Sequence, residues 1–279
     1  MLKEMRIEVA GITTSLKLDN EVFFHRLDDS YQEFRTGRSA DVYIKVRLMK
    51  RGVYTGDCLK DKESLPFGLS FWGDKTIIAS DEFIGNLDWT NRKGQVEINS
   101  LWPLESLGNF LRNIYTLLIY RNGGLVLHAS AVVRQGMAYI FFGPSGSGKS
   151  TVARLSAPWA ILNDELVVIK RVNGSYRVFG TPYWADIKTN KGINGCFEIR
   201  GLFKLIKDKE VYLKRLTQPQ AVAEILSVPS VEDKLGLVKQ LLERSCELLE
   251  SVPCYQMHFL PEPSFWRCID EEFSRTMSG

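Results

Sequence analysis

The stretch GPSGSGKS, Gly143 to Ser150, has two glycines bracketing four residues ahead of a lysine and a hydroxyl, and Thr151 follows it. This is the complete P-loop, or Walker A, pattern, whose chemistry is the binding of a nucleotide polyphosphate. Gly146 and Gly148 permit backbone conformations that turn successive amides toward one point, and Lys149 adds a full positive charge. Ser150 is placed to put its hydroxyl on a magnesium ion that bridges the terminal phosphates. Gly143, Ser145, Gly146, Ser147, Gly148, Lys149, Ser150 and Thr151 are therefore the expected nucleotide-binding set, with ATP as the nucleotide and GTP not excluded.

Asp164 and Glu165, in LNDEL, begin fifteen residues after Lys149. One helix and one strand are the shortest route by which the chain can bring an acid back to the phosphates. Asp164 is expected beside the metal and as the group that takes the proton of an acceptor hydroxyl, with Glu165 in reserve for either role. The alternative is that both are polar residues at a strand end.

The elements that must position these residues are legible around them. LVLHASAVV and MAYIFF read as two strands, Leu125 to Val133 and Met137 to Phe142, turning at RQG, and the second feeds the loop. A short helix, Thr151 to Ser156, is stopped by Pro158, and AIL starts the strand that delivers Asn163, Asp164 and Glu165. Asn173-Gly174 marks a hairpin, which argues for a mixed sheet rather than a doubly wound parallel one. The fold class is thus α/β: a P-loop mixed sheet with flanking helices, preceded by a small β-rich domain.

That domain spans residues 1–100, with strands at Arg6 to Ala10, Val22 to Leu27, Val42 to Leu48, Leu69 to Trp72, Thr76 to Ala79 and Val96 to Ile98. His25 falls in one of these runs and reads as structural. Residues 101–279 form the P-loop domain. Leu104, Leu107, Leu111, Ile114 and Leu118 recur on one face of a helix that Ser100 caps and Pro103 opens, expected to pack on the following sheet.

Composition narrows the class further. Lysine and arginine exceed acids by only 36 − 33 = 3, without a basic block, so nucleic acid is not an expected partner. Five cysteines without a CxxC pair suit free thiols in a reducing compartment. The N-terminus lacks the apolar core of a signal peptide, and no apolar run is long enough to span a bilayer. The expectation is a cytoplasmic protein away from membranes, with homo-oligomerisation left open.

His128 in LHAS, the P-loop, LNDEL and EIRGL, Glu198 to Leu202, resemble in order and approximate spacing the catalytic domain of HPr kinase/phosphorylase, whose fold is similar to that of phosphoenolpyruvate carboxykinase. The resemblance covers roughly residues 121–215. It implies a γ-phosphoryl transfer to serine, in which Asp164 binds metal and takes the serine proton. It also implies that Arg200 clamps a phosphate and that Glu198 joins the outer shell of a metal held by Ser150 and Asp164, with Glu165 in reserve, the alternative for Glu198 and Arg200 being a solvated strand or loop. His128 moves a proton or holds Asp164, or is a core histidine. Glu165 stands where the family has a second aspartate, Phe203-Lys204 departs from the end of the family signature, and Pro144 and Thr151 replace acidic residues of its P-loop. Size, the β-rich N-terminal part and the GPSGSGKST and LNDE wording are closer to the stand-alone HPr-kinase-like proteins of lasso-peptide pathways. The implied acceptor is then a Ser or Thr hydroxyl of a peptide or protein.

Three further stretches bear on the site less directly. FGTPYWAD, Phe179 to Asp186, reads as a wall for nucleotide or peptide, or as a surface turn. Ser230 with Asp233 resembles a capping box opening a helix that carries Leu235, Val238, Leu242 and Leu249. CYQMHFL alternates like a closing strand, and Cys254 with His258 lacks the further ligands of a metal site.

Overall fold

The computed structural model describes residues 2–49, 68–183, 193–228 and 236–277. They form two compact units, Met1–Leu118 and Ile119–Gly279.

The first unit contains β1 (Lys3–Val9), β2 (Ile12–Leu18), α1 (Glu21–Ser30), β3 (Val42–Leu48), β4 (Gly68–Trp72), β5 (Lys75–Ala79), β6 (Phe83–Asp88), β7 (Lys93–Ile98) and most of α2 (Pro103–Arg121). Its strands form one sheet in the order β1-β2-β3-β7-β6-β5-β4. β3 behaves as its alternation requires: Val42, Ile44 and Val46 are buried, while Tyr43, Lys45 and Arg47 face solvent. Two strands, β2 and β6, add to those read from the sequence. The β1–β2 hairpin turns through Ala10 (φ 51°) and Gly11 (φ 79°), a pair of left-handed residues that alanine conceals.

The run Val22 to Leu27 is helix, not strand. Asn20 caps it by accepting a hydrogen bond from the Phe23 amide at 2.8 Å, and Phe23 and Leu27, four apart, are the buried residues. His25 lies on the exposed side of this helix.

In α2 all five residues of the expected stripe are buried, and within the first unit the helix packs on the preceding sheet. Phe110 meets Phe83 edge to face at 5.8 Å, and the Tyr115 hydroxyl donates to the Ile7 carbonyl at 3.3 Å. Gly85 makes room for this approach, since a Cβ there would stand 2.4 Å from the Phe110 ring.

The second unit contains β8 (Leu125–Leu127), β9 (Ala129–Arg134), β10 (Met137–Phe142), α3 (Lys149–Leu155), β11 (Ala160–Asn163), β12 (Val167–Val172), β13 (Ser175–Phe179) and β14 (Cys196–Lys207). It ends with β15 (Tyr212–Arg215), α4 (Gln218–Leu226), α5 (Val238–Leu249), β16 (Cys254–Phe259) and α6 (Phe265–Met277). The sheet runs β11-β9-β10-β14-β13-β12-β8, and β16 joins the far half of β14 with β15 beyond it. β10 pairs parallel with β14 and antiparallel with β9, so the sheet is mixed, as expected from the hairpin.

One face of this sheet is aromatic. Phe203 stacks between Phe141, at 5.3 Å, and Tyr255, at 5.6 Å, and α6 covers them with Phe265, Trp266 and Phe273. α6 was not read from the sequence. α5 buries Leu241, Ser245 and Leu248, leaving Val238 and Leu242 exposed, so its inward face is rotated from the expected one. The proposed capping pair Ser230 and Asp233, and Leu235 with it, lie outside the described residues.

Candidate active site

Sheet closure places the site. β8 and β9 are joined by a single residue, His128, yet they lie toward opposite ends of the strand order. Asn163 to Leu166 likewise leads from β11, at one end, to β12, next to the other end. The sheet therefore curls, and both crossings occur side by side: Leu127 pairs with Val167, which sets His128 against the start of β12. The His128 Nε2 meets the Glu165 Oε2 at 3.2 Å as a direct result.

The P-loop lies between β10 and α3. Gly143 (φ 155°), Gly146 (φ 77°) and Gly148 (φ 110°) all take left-handed backbone conformations that other residues rarely adopt. Ser147 closes the loop by donating its amide to the Pro144 carbonyl at 3.1 Å. Lys149 is buried, and its Nζ donates to the carbonyls of Gly143, at 2.9 Å, and Pro144, at 3.3 Å. Burial holds its pKa below the ordinary lysine value, with the Glu165 carboxylate opposing part of that shift. Free protein therefore holds fewer protons on Lys149 than an exposed lysine would. A bound polyphosphate favours the charged form, so nucleotide binding takes up a proton at alkaline pH, and affinity falls as pH rises through the lowered pKa. Calorimetry in buffers of differing ionisation enthalpy measures that uptake.

Gly148 is doubly constrained, because a Cβ there would stand 2.6 Å from the Phe259 ring of β16. Gly148→Ala combines that clash with a left-handed backbone cost of about 1–2 kcal/mol. The expected outcome is a lower melting temperature and a smaller stabilisation by added ATP, both read by thermal denaturation.

The acidic turn is built on Asn163, which is fully buried. Its Oδ1 accepts the amides of Glu165, at 2.7 Å, and Leu166, at 2.8 Å. Its Nδ2 donates to the Thr181 carbonyl at 2.9 Å, the Thr181 hydroxyl at 3.1 Å and the Tyr183 carbonyl at 3.2 Å. Thr181 in turn donates its hydroxyl to the Leu166 carbonyl at 2.7 Å. The side chain of Asn163 thus acts as a bracket between the turn that carries both acids and the segment after β13.

A cleft of about 360 Å³ results, lined by His128, Ser145, Gly146, Gly148, Lys149, Ser150, Thr151, Asp164, Glu165 and Lys207. The glycine loop, the Ser150 hydroxyl, two carboxylates and a histidine therefore share one concave surface.

Residues 102–274 match the family described as SynChlorMet cassette protein ScmC. The chain belongs to that family. No curated protein matches it. Among solved structures it is similar to the HPr(Ser) kinase/phosphatase from Coxiella burnetii, with 13% identity and a TM-score of 0.35, over 55% of this chain and 99% of that one.

In this ScmC-family chain, two of the expected site residues do not come to the cleft. Glu198 is opposite Met137, at the start of β10, whereas the P-loop leaves from its other end, where Phe142 faces Lys204. Five strand residues at about 3.3 Å each put roughly 16 Å between them. Arg200 sits where the β10–β14 register shifts, and its guanidinium lies 4.5 Å from the centre of the Phe273 ring. Neither a phosphate clamp nor an outer-shell metal ligand follows from those positions. The resemblance placed them at the phosphates, but β14 runs parallel to β10, so its first residues lie at the end of the strand away from the loop.

Lys207 is the residue that sequence reasoning missed. Phe203 and Leu205 pack in the same core as Val152 of α3, and one more step of two along β14 carries Lys207 into the cleft. The signal was a lysine continuing an apolar alternation past the strand's buried part. Of FGTPYWAD, Thr181 and Tyr183 serve as acceptors for Asn163, and Trp184 to Asp186 lie outside the described residues. Cys254 and His258 both fall on β16, and the His258 Nδ1 meets the Asp208 Oδ2 at 2.7 Å. Among the described residues no group of three or more His, Cys, Asp or Glu is arranged to hold a metal. The four cysteines among the described residues are free, Cys58 lies outside them, and no described helix is long and apolar enough to cross a membrane.

Proposed function

We propose that this protein transfers the γ-phosphoryl group of ATP, with Mg2+, to a serine or threonine hydroxyl of a peptide or protein. The observation that carries the reading is the shared cleft, in which the P-loop and the Asp164–Glu165 turn face one volume. A second support is the resemblance of the P-loop, LNDEL and His128 to HPr kinase/phosphorylase.

Magnesium takes one or two protein oxygens and fills the rest of its shell with phosphate and water. The donor set fits, since the Ser150 hydroxyl and the Asp164 carboxylate are hard oxygen ligands lining the same cleft as the phosphate-binding loop. When bound, the ion neutralises charge on the terminal phosphates. Loop amides and Lys149 hold the polyphosphate in line, and Lys207 adds a second cation at the cleft wall. Asp164 receives the acceptor's proton as the new oxygen–phosphorus bond forms and the bond to the β-phosphate breaks, releasing ADP. Glu165 pairs with His128, and Asp164 is assigned to the acceptor because its carboxylate lines the same cleft as the P-loop. A ribosomally made precursor peptide of the lasso type is one acceptor of this class.

Incubation with γ-labelled ATP, Mg2+ and candidate Ser- or Thr-containing peptides tests the reading directly. Label in the peptide is the expected result. Turnover of a small metabolite without any peptide points instead to a carboxykinase-like enzyme. Tight ATP binding without transfer or hydrolysis points to a nucleotide sensor.

A further inference from the structure

The open face of the first unit's sheet carries a second concavity of about 360 Å³, lined by Leu2, Lys17, Tyr43, Ile44, Lys45, Lys93 and Gly94. Strand register explains its chemistry. Tyr43 of β3 is directly opposite Lys93 of β7 and two residues before Lys45, so the phenol stands between two ammonium groups on one face. Lys17 of β2 lies opposite Lys45 and already pairs with Glu4 at 3.4 Å. Among the described residues Lys45 and Lys93 form no ion pair, whereas the neighbouring Arg47 is matched by Glu97 at 3.4 Å. Leu2 and Tyr43 leave apolar surface exposed beside these two charges.

We infer that this face binds an acidic peptide segment in extended conformation, with two carboxylates two residues apart and an apolar side chain on the same face. Strands about 4.8 Å apart and a rise of about 3.3 Å per residue place Lys45 and Lys93 roughly 8 Å apart on the sheet. Two residues of an extended peptide span about 7 Å, so carboxylates at positions i and i+2 meet both lysines. Charge complementarity selects this partner over nucleic acid. A continuous phosphate chain crossing the face would also meet Glu4 and Glu97, whereas discrete carboxylates avoid them. The inference concerns the first unit alone and stands whether or not the P-loop cleft transfers phosphate.

The test is fluorescence anisotropy of the full chain with a short labelled peptide carrying glutamate at positions i and i+2 and leucine at i+4, which share one face when extended. Binding is expected to weaken at least about ten-fold in Lys45→Glu/Lys93→Glu, a loss of about 1.4 kcal/mol, and several-fold in Tyr43→Ser. Lys45→Gln/Lys93→Gln, which removes charge without reversing it, should weaken binding to an intermediate degree. Circular dichroism and the melting temperature serve as the folding control and should stay unchanged in all three. The proposal is overturned if the double charge reversal binds as well as the parent, if a lysine–leucine peptide binds equally, or if a single-stranded oligonucleotide competes more tightly than the peptide.

Discussion

Asp164→Asn is expected to lower the rate of phosphoryl transfer by about 10²–10⁴-fold, the range for removing a positioned general base, while ATP binding measured without metal stays within a few-fold. Asparagine keeps the size and one oxygen of the side chain, so the turn held by Asn163 persists. What is lost is the negative charge that attracts magnesium and accepts the proton. Glu165→Gln should cost less, since its partner His128 can still hydrogen-bond the amide oxygen. Lys149→Ala is the contrasting variant: it removes the buried charge of the loop and should abolish nucleotide binding itself, a loss visible by calorimetry before any assay of transfer. Full transfer by Asp164→Asn would remove the carboxylate from the mechanism and leave the cleft as a binding site only.

The P-loop was readable because eight contiguous residues carry the whole device, and two of its three left-handed glycines, Gly143 and Gly148, sit where the pattern requires them. The acidic pair was readable because one helix and one strand return the chain by the shortest path. Placement of Glu198 and Arg200 was not, because it depends on the direction in which β14 pairs with β10, and no local pattern records that. The same non-locality hid Lys207, whose approach to the loop arises from pairing between strands far apart in sequence. Helix α1 was misread for a different reason. VFFHRL has the composition of a strand, and only Asn20, whose side chain satisfies the Phe23 amide, marks the helix start. α6 carries an apolar pattern of Phe265, Trp266 and Ile269, all buried, that the sequence reading left without an element.

Asn163 was passed over as a neutral neighbour of the two acids, and its removal is the second large effect expected. In Asn163→Ala the amides of Glu165 and Leu166 lose their acceptor, and the carbonyls of Thr181 and Tyr183 lose a donor, all around a fully buried side chain. An unsatisfied buried polar group costs about 1–3 kcal/mol, so for four such groups a total of about 4 kcal/mol or more is expected, measurable as a shift in urea midpoint. A merely structural role predicts normal catalysis in whatever fraction remains folded. A positioning role predicts reduced kcat well below the melting temperature, with ATP affinity retained, because the P-loop does not depend on this bracket while the placement of Asp164 does. Asn163→Asp separates the two halves of the bracket. It still accepts from both amides but turns an acceptor toward the carbonyls of Thr181 and Tyr183, which only its protonated form can satisfy. Burial beside those carbonyls favours the protonated acid, raising its folded pKa above the unfolded value. The variant is then most stable at acid pH and loses stability as pH rises through that range, whereas the parent shows no such loss from this position.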